Sequence, residues 1–140
     1  MSSKPTVVAV VDDEQSVRKA LARLFRSAGL AVETFGSGSE FLDSMGARQP
    51  DCVVLDLHMP EMDGFEVQAC LARLDPRLPV IVVTGHDSEK NRVRALQNGA
   101  RAYLSKPVDD GQLLGAIRRA LAGEGKPNGG DLPFPEDATS

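Results

Sequence analysis

The sequence is poor in the residues that build metal and disulfide frameworks: two cysteines, Cys52 and Cys70, and two histidines, His58 and His86, in 140 positions. No CxxC spacing occurs and no histidine pair completes one, so a structural zinc site is not expected. Both cysteines read as reduced thiols, Cys52 in an apolar strand-like run and Cys70 on the apolar face of a helix, where each packs as a small apolar group. Long apolar runs are also missing. Nothing approaches the roughly 20 residues of a membrane-spanning helix, and Met1 to Pro5 is short and polar, so neither an export signal nor an anchor is expected and the location reads as cytoplasmic. Positive charge is in deficit, with 16 Lys and Arg against 20 Asp and Glu, a net charge of −4. Direct nucleic-acid binding by this chain is not expected, because neutralising phosphates takes clustered cations.

What is present fits one folded unit with one core, at 41% hydrophobic and 26% charged residues. Five apolar runs predict strands: Thr6 to Val11, Ala31 to Phe35, Cys52 to Leu55, Pro79 to Thr84 and Arg101 to Leu104. VVAVV, CVVLDL and VIVV are nearly continuous, the pattern of strands buried on both faces of a parallel sheet. Helical spacing separates them. The first helix is predicted from Glu14 to Ala28, with Val17, Leu21, Leu24 and Phe25 on one face and Gly29 as its stop. Ser39 reads as the cap of a second helix carrying Phe41, Leu42 and Met45. Gly64 opens a third with Val67, Leu71 and Leu74 before Pro76, and a fourth spans Ser88 to Asn98 before Gly99. Asp109 or Asp110 caps the last, whose buried stripe is Leu113, Leu114, Ile117 and Leu121. Five βα units with short right-handed crossovers make an open, doubly wound α/β sheet, since a barrel needs about eight.

From Gly123 the composition turns to Gly, Pro, Asn and acids, GEGKPNGGDLPFPEDATS, which cannot build a core. The domain is expected over residues 1–122, with 123–140 a disordered tail or a linker cut short; Leu132 and Phe134 are its only large apolar residues.

In such a sheet ligands bind beyond the carboxyl ends of the strands. The first strand ends in Asp12 and Asp13, the third in Asp56, the fourth in Thr84, and the fifth in Ser105, Lys106 and Pro107. Three carboxylates brought together repel unless they hold a cation or are protonated, and hard oxygen ligands suit Mg²⁺. One of them can then act as a nucleophile toward a phosphoryl donor, with Lys106 and Thr84 supplying an ammonium and a hydroxyl.

The motifs VVDDE at 10–14, VVLDLHMPEMDGFE at 53–66, VIVVTGH at 80–86 and NGARAYLSKPV at 98–108, with the final amphipathic helix, resemble the CheY-like receiver domains of bacterial two-component response regulators over about Thr6 to Ala122. VVTGH and GARAYLSKP are similar to FixJ-type receivers. The resemblance implies a flavodoxin-like (βα)5 fold with strand order 2-1-3-4-5. It implies Asp56 as phosphoacceptor, and Mg²⁺, replaceable by Mn²⁺, held by Asp12, Asp13, Asp56 and the backbone carbonyl of His58. Thr84 would bond the phosphoryl oxygens, and Lys106 would pair with Asp56 at rest and with the phosphoryl group afterwards. Gly85 leaves access open, Pro107 falls at the family's cis-proline position, and Tyr103 is the aromatic that turns inward when Thr84 moves. His58 and His86, two residues beyond Asp56 and Thr84, are expected to tune the lifetime of the aspartyl phosphate.

The implied partner is a sensor histidine kinase or a histidine phosphotransfer protein. The implied response is a change of the surface of the fourth helix, fifth strand and fifth helix, which would control a partner, an output domain or homodimerisation. Such a chain is a switch rather than an enzyme, catalysing only its own phosphotransfer and dephosphorylation. Two other readings compete. An aspartyl-nucleophile phosphatase needs a general acid two residues after the nucleophile, where this chain has His58, and a cap domain that does not follow. A degenerate receiver would lack some of the acids, the Thr or the Lys, and all are present.

Overall fold

The computed structural model describes residues 5–123. Strands and helices alternate as β1 (Val7–Val11), α1 (Gln15–Ser27), β2 (Ala31–Phe35), α2 (Gly38–Ser44), β3 (Cys52–Leu55), α3 (Gly64–Leu74), β4 (Val80–Thr84), α4 (Glu89–Gln97), β5 (Ala102–Ser105) and α5 (Asp110–Leu121). All strand pairs are parallel, in the order β2-β1-β3-β4-β5. This is the expected doubly wound α/β, flavodoxin-like sheet. The chain first steps outward from β1 to β2, then crosses back to β3. The carboxyl ends of β1 and β3 therefore border the crevice where the winding reverses.

The Val-rich runs become central strands because both faces are covered. On one face Ala9, Val11, Val53, Leu55, Val80 and Val82 pack under Phe41, Val67 and Leu71 of α2 and α3. On the other, Val8, Val10, Cys52, Val54, Ile81 and Val83 pack under Leu21, Phe25, Leu113 and Ile117 of α1 and α5. Alternate residues of each strand thus serve alternate layers. Among the described residues no helix is long and apolar enough to cross a membrane.

Several local expectations shift. The cap of α2 is Ser37, whose side chain accepts from the Glu40 N–H, while Glu40 Oε1 accepts from Gly36 N–H. Gly38, the first helical residue, lies against α3, where a Cβ would stand 2.6 Å from Val67 Cγ2. Asp63 caps α3 in a capping box with Glu66, and Asp109, not Asp110, caps α5. Strand β5 ends on Ser105 rather than Leu104, since its register against β4 continues to Thr84 opposite Ser105. Cys52 is buried as expected, with its thiol pushed up to about 12 chiefly by burial, whereas Cys70 is only half-buried. α5 ends at Leu121, and all of the expected tail but Gly123 lies outside the described residues.

Candidate phosphoryl site at the strand ends

The sheet brings the strand-end residues together as its order requires. Asp12 and Asp56, directly after β1 and β3, are 3% and 5% exposed, and Asp13 faces solvent. Carboxylate oxygens of the three lie within 4.8 Å of one another. The entry to α3 closes in from below: a Cβ on Gly64 would come within 2.5 Å of the Asp56 carbonyl oxygen. Only glycine lets α3 begin that near the backbone of Asp56 and Leu57.

Lys106 reaches in from beyond β5, held by its own N–H bonding the Thr84 carbonyl at 2.8 Å. Its ammonium donates to Asp12 Oδ2 at 2.9 Å and lies 3.6 Å from Glu14 Oε1 and 3.7 Å from Asp56 Oδ2. The expected resting pair with Asp56 is therefore secondary. Asp12 is the nearer acid, and its other oxygen accepts from the Glu14 N–H at 2.9 Å, which orients it toward Lys106. The Lys106–Pro107 peptide bond is cis.

The electrostatics follow from this packing. Burial, then the neighbouring Asp12 charge, raises the Asp56 carboxyl above its ordinary range, opposed by Lys106 and the His58 N–H. Burial works to lower Lys106, but the bond to Asp12 and the charges of Asp12, Asp56 and Glu14 outweigh it, and its pKa is raised. The site thus holds more carboxylates than its single ammonium neutralises. Asp12, Asp13 and Asp56 offer hard oxygen donors at mutual distances a small divalent cation can span, so the donor set fits Mg²⁺.

Thr84 is fully buried, and its Oγ1 accepts from the His86 N–H at 3.0 Å. The His58 N–H donates to Asp56 Oδ1 at 3.3 Å. The two imidazoles meet across the opening, stacked with centroids 3.8 Å apart and planes at 21°. With Asp13, Glu14, Asp56, Gly85 and Lys106 they line a pocket of about 320 Å³. A Cβ on Gly85 would meet only Lys106 Cδ at 3.8 Å, so the missing side chain leaves the pocket itself open. Tyr103 is half-buried on β5, its hydroxyl already buried without a hydrogen-bond partner among the described residues. Burial raises its pKa, opposed first by the Ser88 backbone and then by Arg92, with Asp87 adding to the rise.

Two residues at the site had no role in the sequence reading. Glu14, the third acid of VVDDE, lines the pocket and faces Lys106. Arg18 Nη1 donates to the Asp12 carbonyl at 2.7 Å, bracing the end of β1. Adjacency to Asp13 signals the first; nothing in the helical pattern signals the second.

The family description "Response regulator receiver domain" matches residues 8–118. The chain belongs to the response-regulator receiver family. It is 41% identical over 121 residues to the response regulator protein TodT of Pseudomonas putida, covering 86% of this chain and 53% of that protein. It is 38% identical over 116 residues to the DNA-binding transcriptional regulator NtrC of Escherichia coli, covering 83% of this chain and 25% of NtrC. Among solved structures, a CheY-like receiver domain protein from Methanospirillum hungatei superposes with a TM-score of 0.81 at 28% identity, covering 86% of this chain and 96% of that one. The receiver is a signalling domain of two-component systems, and aspartyl phosphorylation and Mg²⁺ binding are typical of its family. The chain spans about half the length of TodT and a quarter of NtrC.

Proposed function

We propose that this receiver is a phosphorylation switch in which Asp56 takes a phosphoryl group from a phosphohistidine on a sensor histidine kinase or phosphotransfer protein. The observation that supports it most is the Asp56 carboxylate itself: buried, raised in pKa, with two acids beside it and an ammonium 3.7 Å away. A carboxylate oxygen of Asp56 attacks phosphorus as the P–N bond to the donor imidazole breaks, and the imidazole leaves with that electron pair and takes a proton from solvent. Lys106 swings the short distance from Asp12 toward the transferring oxygens, and the Thr84 hydroxyl donates to one of them. Asp12, Asp13, Asp56 and the His58 backbone carbonyl would hold Mg²⁺ or Mn²⁺, which neutralises charge on the transferring group.

The bound phosphoryl group adds about −1.5 to −2 charge and three strong acceptors. Drawing Thr84 inward breaks its bond to the His86 N–H and disturbs the β4–α4 connection, where Asp87 and Ser88 lie near the Tyr103 hydroxyl. The surface of α4, β5 and α5 then changes, controlling a partner, an output domain or homodimerisation. The chain catalyses only its own phosphotransfer and dephosphorylation, in the cytoplasm and without touching nucleic acid. The stacked His58 and His86 rings limit water at the pocket mouth and lengthen the aspartyl-phosphate lifetime. Unchanged dephosphorylation rates in His58→Ala and His86→Ala would remove that role.

Incubation with acetyl phosphate and Mg²⁺ followed by intact mass tests the main reading. The expected result is a gain of one phosphoryl mass that EDTA or Asp56→Asn abolishes. No gain, where a known receiver is labelled in parallel, would leave a receiver that works only as a binding module.

A further inference from the structure

Helix α1 carries Arg18, Lys19, Arg23 and Arg26 and no acid, in a chain of net charge −4. Together with Gln15, Ala22 and Thr34 these four line a groove of about 500 Å³ between α1 and β2. Arg18 is committed to the Asp12 carbonyl and lies over Gly36. Lys19, Arg23 and Arg26 are exposed and form no ion pair among the described residues. Four like charges along one helical face repel each other, which leaves the groove electrostatically incomplete.

A second feature decides the class of occupant. β2 is the edge of the sheet, pairing only with β1, and Thr34 on it is exposed. Such an edge offers backbone groups that an added polypeptide strand can pair with and a phosphate chain cannot. An extended acidic peptide meets both demands at once.

Such a peptide lies in the same chain. Residues 124–140 hold Glu124, Asp131, Glu136 and Asp137 against one cation, Lys126. The chain leaves α5 at Gly123 in the layer that holds α1, since Ala120 and Ile117 share a core with Leu21 and Phe25. The eight steps along the chain from Gly123 to Asp131 reach about 26–29 Å when extended. Pro133 and Pro135 are two apart, so both fall on one side of an extended strand and leave the N–H groups of Leu132, Phe134 and Glu136 free on the other.

We propose that the acidic segment Asp131 to Asp137 docks along the α1–β2 groove, with Asp131 and Asp137, which an extended chain puts on one face, toward Lys19, Arg23 and Arg26 and Glu136 adding charge from the opposite face. Exposed ion pairs are individually weak and screened by salt, but the tether supplies an effective concentration of about millimolar. Docking is therefore partial at low salt and lost at high salt.

The test uses the full chain, ¹⁵N-labelled, against the same chain with Asp131→Asn, Glu136→Gln and Asp137→Asn. All three positions lie outside the described residues. The expected result at low salt is a set of amide shift differences confined to α1 and β2, which vanish near ~0.5 M NaCl, where the Debye length falls below about 5 Å. The reciprocal variant, Lys19→Gln, Arg23→Gln and Arg26→Gln, is expected to shift the amides of 131–137 in the same salt-dependent way. Superimposable α1 and β2 spectra at low salt would overturn the proposal. So would α1 shifts that arise only on adding a separate acidic peptide or a DNA duplex, which would assign the groove to an external partner.

Discussion

The central strands and helix α4 are built on opposite terms. β1, β3 and β4 bury nearly every side chain on both faces, and the acids that end β1 and β3 inherit that rigidity. α4 buries only Ala95 and leaves Val93 40% exposed. Two specific contacts tie it to α3: Gln68 Nε2 donates to the Ala95 carbonyl at 3.0 Å, and the Arg94 guanidinium lies 3.9 Å over the Phe65 ring. The strand ends are fixed by area and α4, the element the proposed switch would move, by a few directional contacts. A charge placed on Asp56 therefore finds α4 the cheapest element to move.

Four substitutions probe that contrast. Phe25→Ala, which empties a fully buried site between α1 and the sheet, is expected to lower stability by about 3–5 kcal/mol in urea unfolding. A loss under about 1 kcal/mol would mean the sheet face is not the dominant source of stability. Gln68→Met keeps the volume, removes an orphaned Oε1 and cuts the tie to α4. Its stability change is expected within about 1.5 kcal/mol, yet amide exchange in α4 should quicken relative to the strands. Equal protection in both variants of α4 would show that the tie does not hold it.

Asp56→Asn acts through charge. An acid whose folded pKa is raised binds its proton more tightly when folded, so stability falls as pH rises from the ordinary carboxylate range through the raised value. Asn removes that loss. The variant is expected to be more stable than the native chain at pH 7 without divalent cation, with the gain shrinking toward pH 4; a gain independent of pH would refute the charge argument. Smallest of all, Val93→Ala on the outer face of α4 should change stability by no more than about 0.5 kcal/mol.

The strand ends were legible because chemistry and burial coincide there: Val-rich runs announce buried parallel strands, and an acid, a threonine or a lysine directly after one must sit at the sheet's edge. Less legible were features decided by distance between elements. Lys106 follows β5, but its preference for Asp12 over Asp56 depends on where the Asp12 carboxylate is turned by the Glu14 N–H. Ser37 and Ser39 both suit a cap, and what selects the first is Glu40 three positions after it, whose N–H bonds the Ser37 side chain while its carboxylate bonds the Gly36 N–H. Gln68 reads as a polar surface residue of an amphipathic helix, yet it is 3% exposed because α4 lies over it. His58 and His86 stand 28 residues apart, and their stacking depends on two loops meeting over one pocket.

The most direct test of the account is a map of backbone amide shifts before and after phosphorylation of Asp56 by acetyl phosphate with Mg²⁺. The expected changes surround residues 12–14, 56–58 and 84–87 and continue along α4 and β5, while Val8, Val10, Val53 and Val54 in the middle of the sheet stay in place. Changes confined to the pocket, with α4 and β5 unmoved, would contradict it.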